Sequence, residues 1–261
     1  MQRPLARQTG SMRLRIARDA AEHARLAADA VVSALPAGRA PVLGVATGSS
    51  PNGVYAELAR RVAAGEVDLR EATAFALDEY VGLPVGHPQR YRTVVHELVT
   101  VPLGLDPARV HVPDGGAPDL AAEAAAFERR IRDAGGIDVQ LLGIGRNAHI
   151  GFNEPGSAFA SRTREALLAE ETIADNARFF AGADEVPRRC ITQGIATILE
   201  ARRIVLVAQG LRKADAVRHA VEDAPSPAWP ATALQAHPDV VLVLDEEAAS
   251  LLGAGTRAAA E

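Results

Sequence analysis

Cysteine is almost missing from this 261-residue chain, where Cys190 stands alone. That excludes an intramolecular disulfide and a Cys-rich metal site. The lone thiol reads first as a small buried apolar residue rather than a reactive one. Aromatics make up only 4% of the residues, so the core has to rest on Ala, Val, Leu and Ile. No apolar run reaches membrane-spanning length, and residues 1–12 carry arginines but not the apolar core of a signal peptide. A cytoplasmic location without membrane contact is expected. A net charge of -5 argues against a nucleic-acid partner that needs a broad basic surface. A small anionic substrate held by a few local cations stays open. His87, His96, His111 and His237 show no metal-ligand spacing, and no internal repeat or low-complexity linker interrupts the chain.

What is present suits one large α/β domain. Hydrophobic content is 48% and charged content 23%, ordinary for a globular chain long enough to bury a sizeable core. Helical spacing is expected over 17–35, 55–62, near 91–99, and over 120–134, 187–200 and 213–222. Short apolar runs at 41–46, 72–77, 137–142, 203–208 and 240–244 predict buried strands. This alternation predicts a single doubly wound, mostly parallel sheet with helices on both faces, a Rossmann-like arrangement. Residues 1–11 are expected to be a disordered lead-in, with Met12 a second candidate start, and 12–261 the domain. The polar stretch 156–182, with Arg162, Arg164 and Arg178, is a candidate lid.

The richest stretch is 137–156. Its apolar half ends at Gly143, where glycines at 143, 145 and 151 alternate with Asn147, His149 and Glu154. Open α/β sheets place ligands beyond the carboxyl ends of their strands, which is where these residues would fall. A lone histidine there reads first as a surface residue, but three other strand ends also carry chemistry. Thr47-Gly48-Ser49-Ser50-Pro51 joins a strand to a helix and offers hydroxyls and N–H groups to an anion, although alone it reads equally as a capped turn. It lacks the lysine and spacing of a P-loop. Asp78-Glu79 follows the next strand, a place where a helix cap or solvated turn is the commoner use of carboxylates. Lys213 follows another. Lys213 and Arg178 suit a phosphate, leaving Asp78, His149 and Glu154 as acid–base groups. Trp229 reads as a packing anchor, and Asp245-Glu246-Glu247 as a solvated strand end.

The segments Thr47–Pro51, Leu77-Asp78-Glu79-Tyr80-Val81-Gly82-Leu83 and Gly145–Gly156 together resemble the three main motifs of glucosamine-6-phosphate deaminases. The likeness continues through Ser161–Arg164, Asn176–Phe180, Gly210–Lys213 and Leu234–Pro238, so it spans about residues 12 to 247, with Asn153-Glu154-Pro155-Gly156 its most specific part. The resemblance implies conversion of glucosamine 6-phosphate to fructose 6-phosphate and ammonia, with no metal or organic cofactor. It implies that His149, oriented by Glu154, assists ring opening, that Asp78 carries a proton between C2 and C1, and that Glu79 tunes or orients Asp78 at the substrate. Thr47, Gly48, Ser49, Ser50, Arg178 and Lys213 would hold the phosphate.

Three departures stand out. Asn147 takes a place where some members carry Asp, so its side chain could still hydrogen-bond His149 but could not stabilise an imidazolium by charge. Ala148 stands where Gly is usual. In the stretch Ser157–Leu167, which binds a second sugar phosphate in allosterically activated members, Ser157 and Arg164 remain but Ala158, Ala166 and Leu167 replace polar residues. No activation by N-acetylglucosamine 6-phosphate is therefore expected. The rival 6-phosphogluconolactonases share the fold and the phosphate loop, but they carry a different run after the histidine. A non-catalytic sugar-phosphate sensor is the other alternative. Oligomeric state, including a homo-oligomer, stays open.

Overall fold

All of Val42–Val45 and Val139–Leu142 is buried, as is Arg203–Ala208 after its first residue. Such runs are stable only where neither face meets water, in a parallel sheet covered on both sides. The structure, a computed structural model, describes residues 11–260. In chain order it runs β1 (Ser11–Ala17), α1 (Ala20–Val32), β2 (Val42–Val45), α2 (Asn52–Ala63), β3 (Thr73–Ala76), β4 (Asp78–Tyr80), α3 (Tyr91–Val95), β5 (Val110–His111), α4 (Leu120–Asp133) and β6 (Val139–Leu142). It continues with β7 (Arg164–Leu167), α5 (Glu170–Asn176), β8 (Arg189–Thr192), α6 (Ile195–Leu199), β9 (Arg203–Ala208), α7 (Ala214–Glu222), β10 (Asp239–Asp245) and α8 (Ala254–Ala258).

The main sheet has seven strands in the order β1-β10-β9-β6-β2-β3-β5, and every pairing in it is parallel. Alternate residues feed two cores. Val240, Leu242 and Leu244 pack with Phe127 and Ile131 of α4 and Val217 of α7 on one face. Val241 and Val243 pack with Ala27 and Val31 of α1 and Val54 and Leu58 of α2 on the other. The doubly wound sheet expected from the sequence is therefore present. Strand order turns between β2 and β6, since β2 leads outward to β3 while β6 leads the opposite way to β9. That turning point is where such sheets open a crevice.

Three expectations need correction. Helix 187–200 is β8 followed by the short α6: β8 has partners on both sides, β4 and β7, and pairing overrides helical spacing. Asp78–Tyr80, read as a loop, is β4 and pairs antiparallel with β8 in a second, three-stranded sheet. Helix 17–35 contracts to α1, opened by Asp19, whose side chain accepts from Glu22 N–H, and it is preceded by the unexpected β1. Ser11 belongs to β1, while the rest of the expected lead-in lies outside the described residues. The stretch 156–182 is not featureless; it holds β7 and α5. Among the described residues no helix is long and apolar enough to cross a membrane.

Candidate active site

The crevice at the turning point is a cleft of about 590 Å³ lined by Thr47–Ser50, Asp78, Gly145, His149, Arg178 and Lys213, among others. Four strand ends thus deliver their chemistry to one place. Asn147, Glu154 and Glu79 stand behind it. Ala46, at the cleft's edge, is held from the core by Tyr55, whose hydroxyl accepts from Ala46 N–H (2.9 Å) and donates to Ala46 C=O (2.8 Å), fixing the chain as it leaves β2.

The loop after β6 is built around His149. Asn147 Nδ2 donates to Glu154 Oε2 at 2.8 Å, which turns Asn147 Oδ1 toward His149 Nδ1, 2.8 Å away. An amide oxygen only accepts, so Nδ1 carries the proton and Nε2 keeps its lone pair. Glu154 Oε2 is itself 3.5 Å from Nδ1, and Thr172 Oγ1 lies at 3.3 Å. Burial works against ionisation of Glu154, but its bonds to His149, Thr172 and Asn147 prevail and hold its carboxyl down at about 2. Asn147 therefore joins His149 to a charge it does not itself carry. Glycine at 145 is required by contact: a Cβ there would meet the His149 ring at 2.2 Å. Ala148 has φ of 60°, the only left-handed residue other than glycine among those described. It is fully buried, and its C=O accepts from Ala231 N–H at 2.9 Å.

Asp78 is 5% exposed and has no cation within salt-bridge reach among the described residues. Burial first, then the neighbouring charge of Glu79, pushes its carboxyl up to about 8. Gly151 lies beside it: a Cβ there would sit 3.5 Å from Asp78 Oδ2 and 3.1 Å from Thr192 Oγ1. Glu79 does not line the cleft. Its carboxylate accepts from the N–H groups of Tyr80 (2.9 Å), Tyr91 (2.8 Å) and Arg92 (3.0 Å), with Arg90 Nε at 3.7 Å. Burial pushes Glu79 up while these donors pull it back, so of the adjacent pair Glu79 is better furnished to hold the charge and Asp78 the proton. Glu79 thus caps α3 and reaches Asp78 only through its charge.

The opposite end is cationic. Helices α1 and α4 begin with aspartates that accept N–H bonds, but α2 has no side-chain cap. Its first turn follows directly on Thr47–Ser50, an arrangement suited to an anion, although the N–H of Asn52 already donates to Ser49 C=O at 3.4 Å. Arg178 Nη2 donates to Ser49 Oγ at 3.2 Å. Lys213, the single lysine beside 27 arginines, makes no ion pair among the described residues, and burial lowers its pKa, with Asp175 opposing and Arg178 and Arg146 adding. No group of three or more His, Cys, Asp or Glu side chains among the described residues could hold a metal ion.

A family model described as glucosamine-6-phosphate isomerases/6-phosphogluconolactonase matches residues 15–243. The chain belongs to this family. Members similar to it include the glucosamine-6-phosphate deaminase of Mycolicibacterium smegmatis, 53% identical over 228 residues and 87% of each chain. That of Beutenbergia cavernae is 53% identical over 242 residues, 92% of this chain and 93% of the other. Among solved structures, a monomeric glucosamine-6-phosphate deaminase is 40% identical with a TM-score of 0.89, covering 92% of this chain and 100% of that one. A 6-phosphogluconolactonase from Trypanosoma brucei has a TM-score of 0.74 at 19% identity over 94% and 100%, a likeness of fold.

In this family member the cleft also holds residues that the sequence reading passed over, notably Tyr91, Arg146, Thr172, Asn176 and Arg212. Most come from elements whose placement depends on the second sheet. Lys213 had a signal that composition alone could have given, its being the only lysine. Asp245 ends β10 half-buried and Glu246 and Glu247 are exposed, in keeping with a solvated strand end; Asp245 and Glu247 also accept from the N–H groups of Gly210 and Leu211 and shape the loop before Lys213. Cys190 is fully buried, as expected, and Trp229 stacks on His219 with centroids 3.5 Å apart.

Proposed function

We propose that the protein converts D-glucosamine 6-phosphate and water to D-fructose 6-phosphate and ammonia. The observation that carries this is the division of the cleft: Thr47–Ser50, Arg178 and Lys213 at one end, Asp78 and His149 at the other. The phosphate would lie against the α2 N–H groups and the two cations. His149 Nε2, with its lone pair set by Asn147 and Glu154, would take the O1 proton as the pyranose opens and return a proton to O5. Asp78, once it has given up its own proton, would then remove the C2 proton as a carboxylate, giving an enolamine, and deliver a proton to C1. Water adds to the resulting C2 imine, and ammonia leaves. A short carboxylate beside adjacent carbons can serve both, and its burial keeps the carried proton from exchanging freely. Neither a metal nor an organic cofactor enters this scheme.

Four finer readings accompany it. The stretch 156–182, which carries Arg178, acts as a lid. The chain works as a monomer rather than a homo-oligomer, in line with the relative described as monomeric, which sedimentation would test. A cytoplasmic enzyme without nucleic-acid partners fits the charged substrate and the net charge of -5. N-acetylglucosamine 6-phosphate does not activate it: Leu167 is exposed, Ala166 offers no charge, and Arg164 already donates to Asn153 Oδ1 (2.8 Å) and Ser157 Oγ (3.1 Å). Steady-state curves with marked activation would overturn that last reading.

The deciding assay is release of ammonia and fructose 6-phosphate from glucosamine 6-phosphate, with 6-phosphogluconolactone as control. Lactone hydrolysis without ammonia would replace the deaminase by the lactonase. Ligand-dependent stabilisation without turnover would make the protein a sensor.

A further inference from the structure

Helix α5 and the turn after it touch both ends of the cleft. Thr172 meets His149 Nδ1 at 3.3 Å, and Asp175 pairs with Arg146 Nε at 2.7 Å. Two residues past the helix, Arg178 reaches Ser49. Helix and turn together cover only residues 170–179, so little in their own length fixes where they sit. Most of these contacts are at least partly open to water. Asn176, itself half-buried, reaches inward: its Nδ2 donates at 2.9 Å to the hydroxyl of Tyr80, a residue only 2% exposed.

Tyr80 lies in β4 two residues after Asp78, and it is the centre of the smallest core. Its ring packs against Tyr91 (4.8 Å between centroids), Phe152 (5.5 Å) and, edge-on, Phe180 (5.7 Å). Tyr91 supports the same hydroxyl from 3.4 Å. The ring would pack equally well without its oxygen. A hydroxyl in this apolar setting costs free energy unless it is bonded, and the side chain that satisfies it belongs to the segment bearing Arg178.

We propose that Asn176 and Tyr80 form a latch that fixes the distance between the phosphate-binding Arg178 and the strand carrying Asp78. Both are positioning residues: neither needs to touch the substrate, and each acts by holding Arg178 where the phosphate meets it while Asp78 meets the sugar carbons. The proposal rests on the reading of Arg178 as a phosphate contact.

The test is a double-mutant cycle of Tyr80→Phe, Asn176→Ala and their combination. It is read as KM and kcat for glucosamine 6-phosphate and, separately from turnover, as the calorimetric Kd of inorganic phosphate. Losing this one part-buried hydrogen bond should raise KM and the phosphate Kd together, by about three- to tenfold, with kcat changed less. The double variant should be no worse than the weaker single one, because both remove the same bond. Tyr80→Phe keeps the ring and so the packing; a melting curve for each variant separates lost stability from lost position. Additive effects, or a lowered Tm with unchanged KM and phosphate Kd, would overturn the latch while leaving the deaminase reading in place. A wild-type protein that binds neither phosphate nor glucosamine 6-phosphate would remove the phosphate site and the latch with it.

Discussion

The two ends of the cleft are finished to different degrees. At the acid–base end the hydrogen bonds are already made inside the protein: Glu154 to Asn147, Asn147 to His149, Glu79 to three N–H groups. At the cationic end they are left open, with α2 uncapped, Lys213 unpaired among the described residues, and Ser49 meeting Arg178. The difference follows from what each end has to do. Groups that move protons must hold their geometry before the substrate arrives. Groups that bind a dianion gain affinity by being left for the ligand to complete.

That contrast can be broken experimentally. The largest effect is expected from Asp78→Asn, which should lower kcat by about a hundredfold to ten-thousandfold while leaving sugar-phosphate affinity nearly intact. The same variant tests the cost of the buried carboxyl. Folded, Asp78 keeps its proton up to about pH 8; unfolded, it releases it near pH ~4. Across that window the folded form binds more protons, so wild-type stability should fall as pH rises. Denaturant titrations should show the variant gaining on the wild type toward alkaline pH; parallel curves would mean that Asp78 is ionised in the free protein.

Lys213→Met should act in the opposite manner, raising KM about tenfold to a hundredfold with a smaller change in kcat. It should also make the ligand-free protein slightly more stable, since an unpaired, half-buried cation is removed. A variant that loses kcat but binds normally would move Lys213 to the chemical end. Glu154→Gln should reduce kcat by roughly tenfold to a hundredfold through a misdirected His149. Its pH signature is the reverse of that of Asp78: the carboxyl is held at about 2, so it stabilises the fold above its unfolded pKa and loses that contribution as pH falls toward 2. If the two substitutions gave stability–pH slopes of the same sign, the division between the carboxylates would be lost. Ala148→Gly should have the smallest effect, a gain of up to about 1 kcal/mol from relieved left-handed strain, partly offset by the freer unfolded chain. A drop in Tm would show that the Cβ of Ala148 contributes more by packing than its backbone loses by strain.

The sequence reading reached the buried strands most easily, because Val42–Val45, Arg203–Ala208 and Asp239–Asp245 are apolar on both faces and stand alone as signals. It located the chemical loops for the same reason, since each follows such a strand. It missed β1, where Arg13 and Arg15 break the apolar run, and β8, whose identity rests on neighbours far away in the chain. Because β8 was hidden, so was the second sheet, and with it the reason that Glu79 turns from the cleft and Tyr80 toward α5. Ala148 was legible as a departure from the glycine usual in the family the sequence resembles, but its positive φ was not, because alanine carries no propensity for it.

The pairing of Ser11–Ala17 with Asp239–Asp245 has a bearing on synthesis. β1 lies at the sheet's edge and touches only β10 within it, so the earliest described strand must wait for the latest one. While the ribosome builds everything between, the ladder that β1 will join has no template. Local loop closure can assemble β2, β3 and their helices early, whereas this contact spans almost the whole chain and comes late. Until β10 emerges, the chain carries an unpaired strand, and the latest of the described strands completes this edge of the sheet.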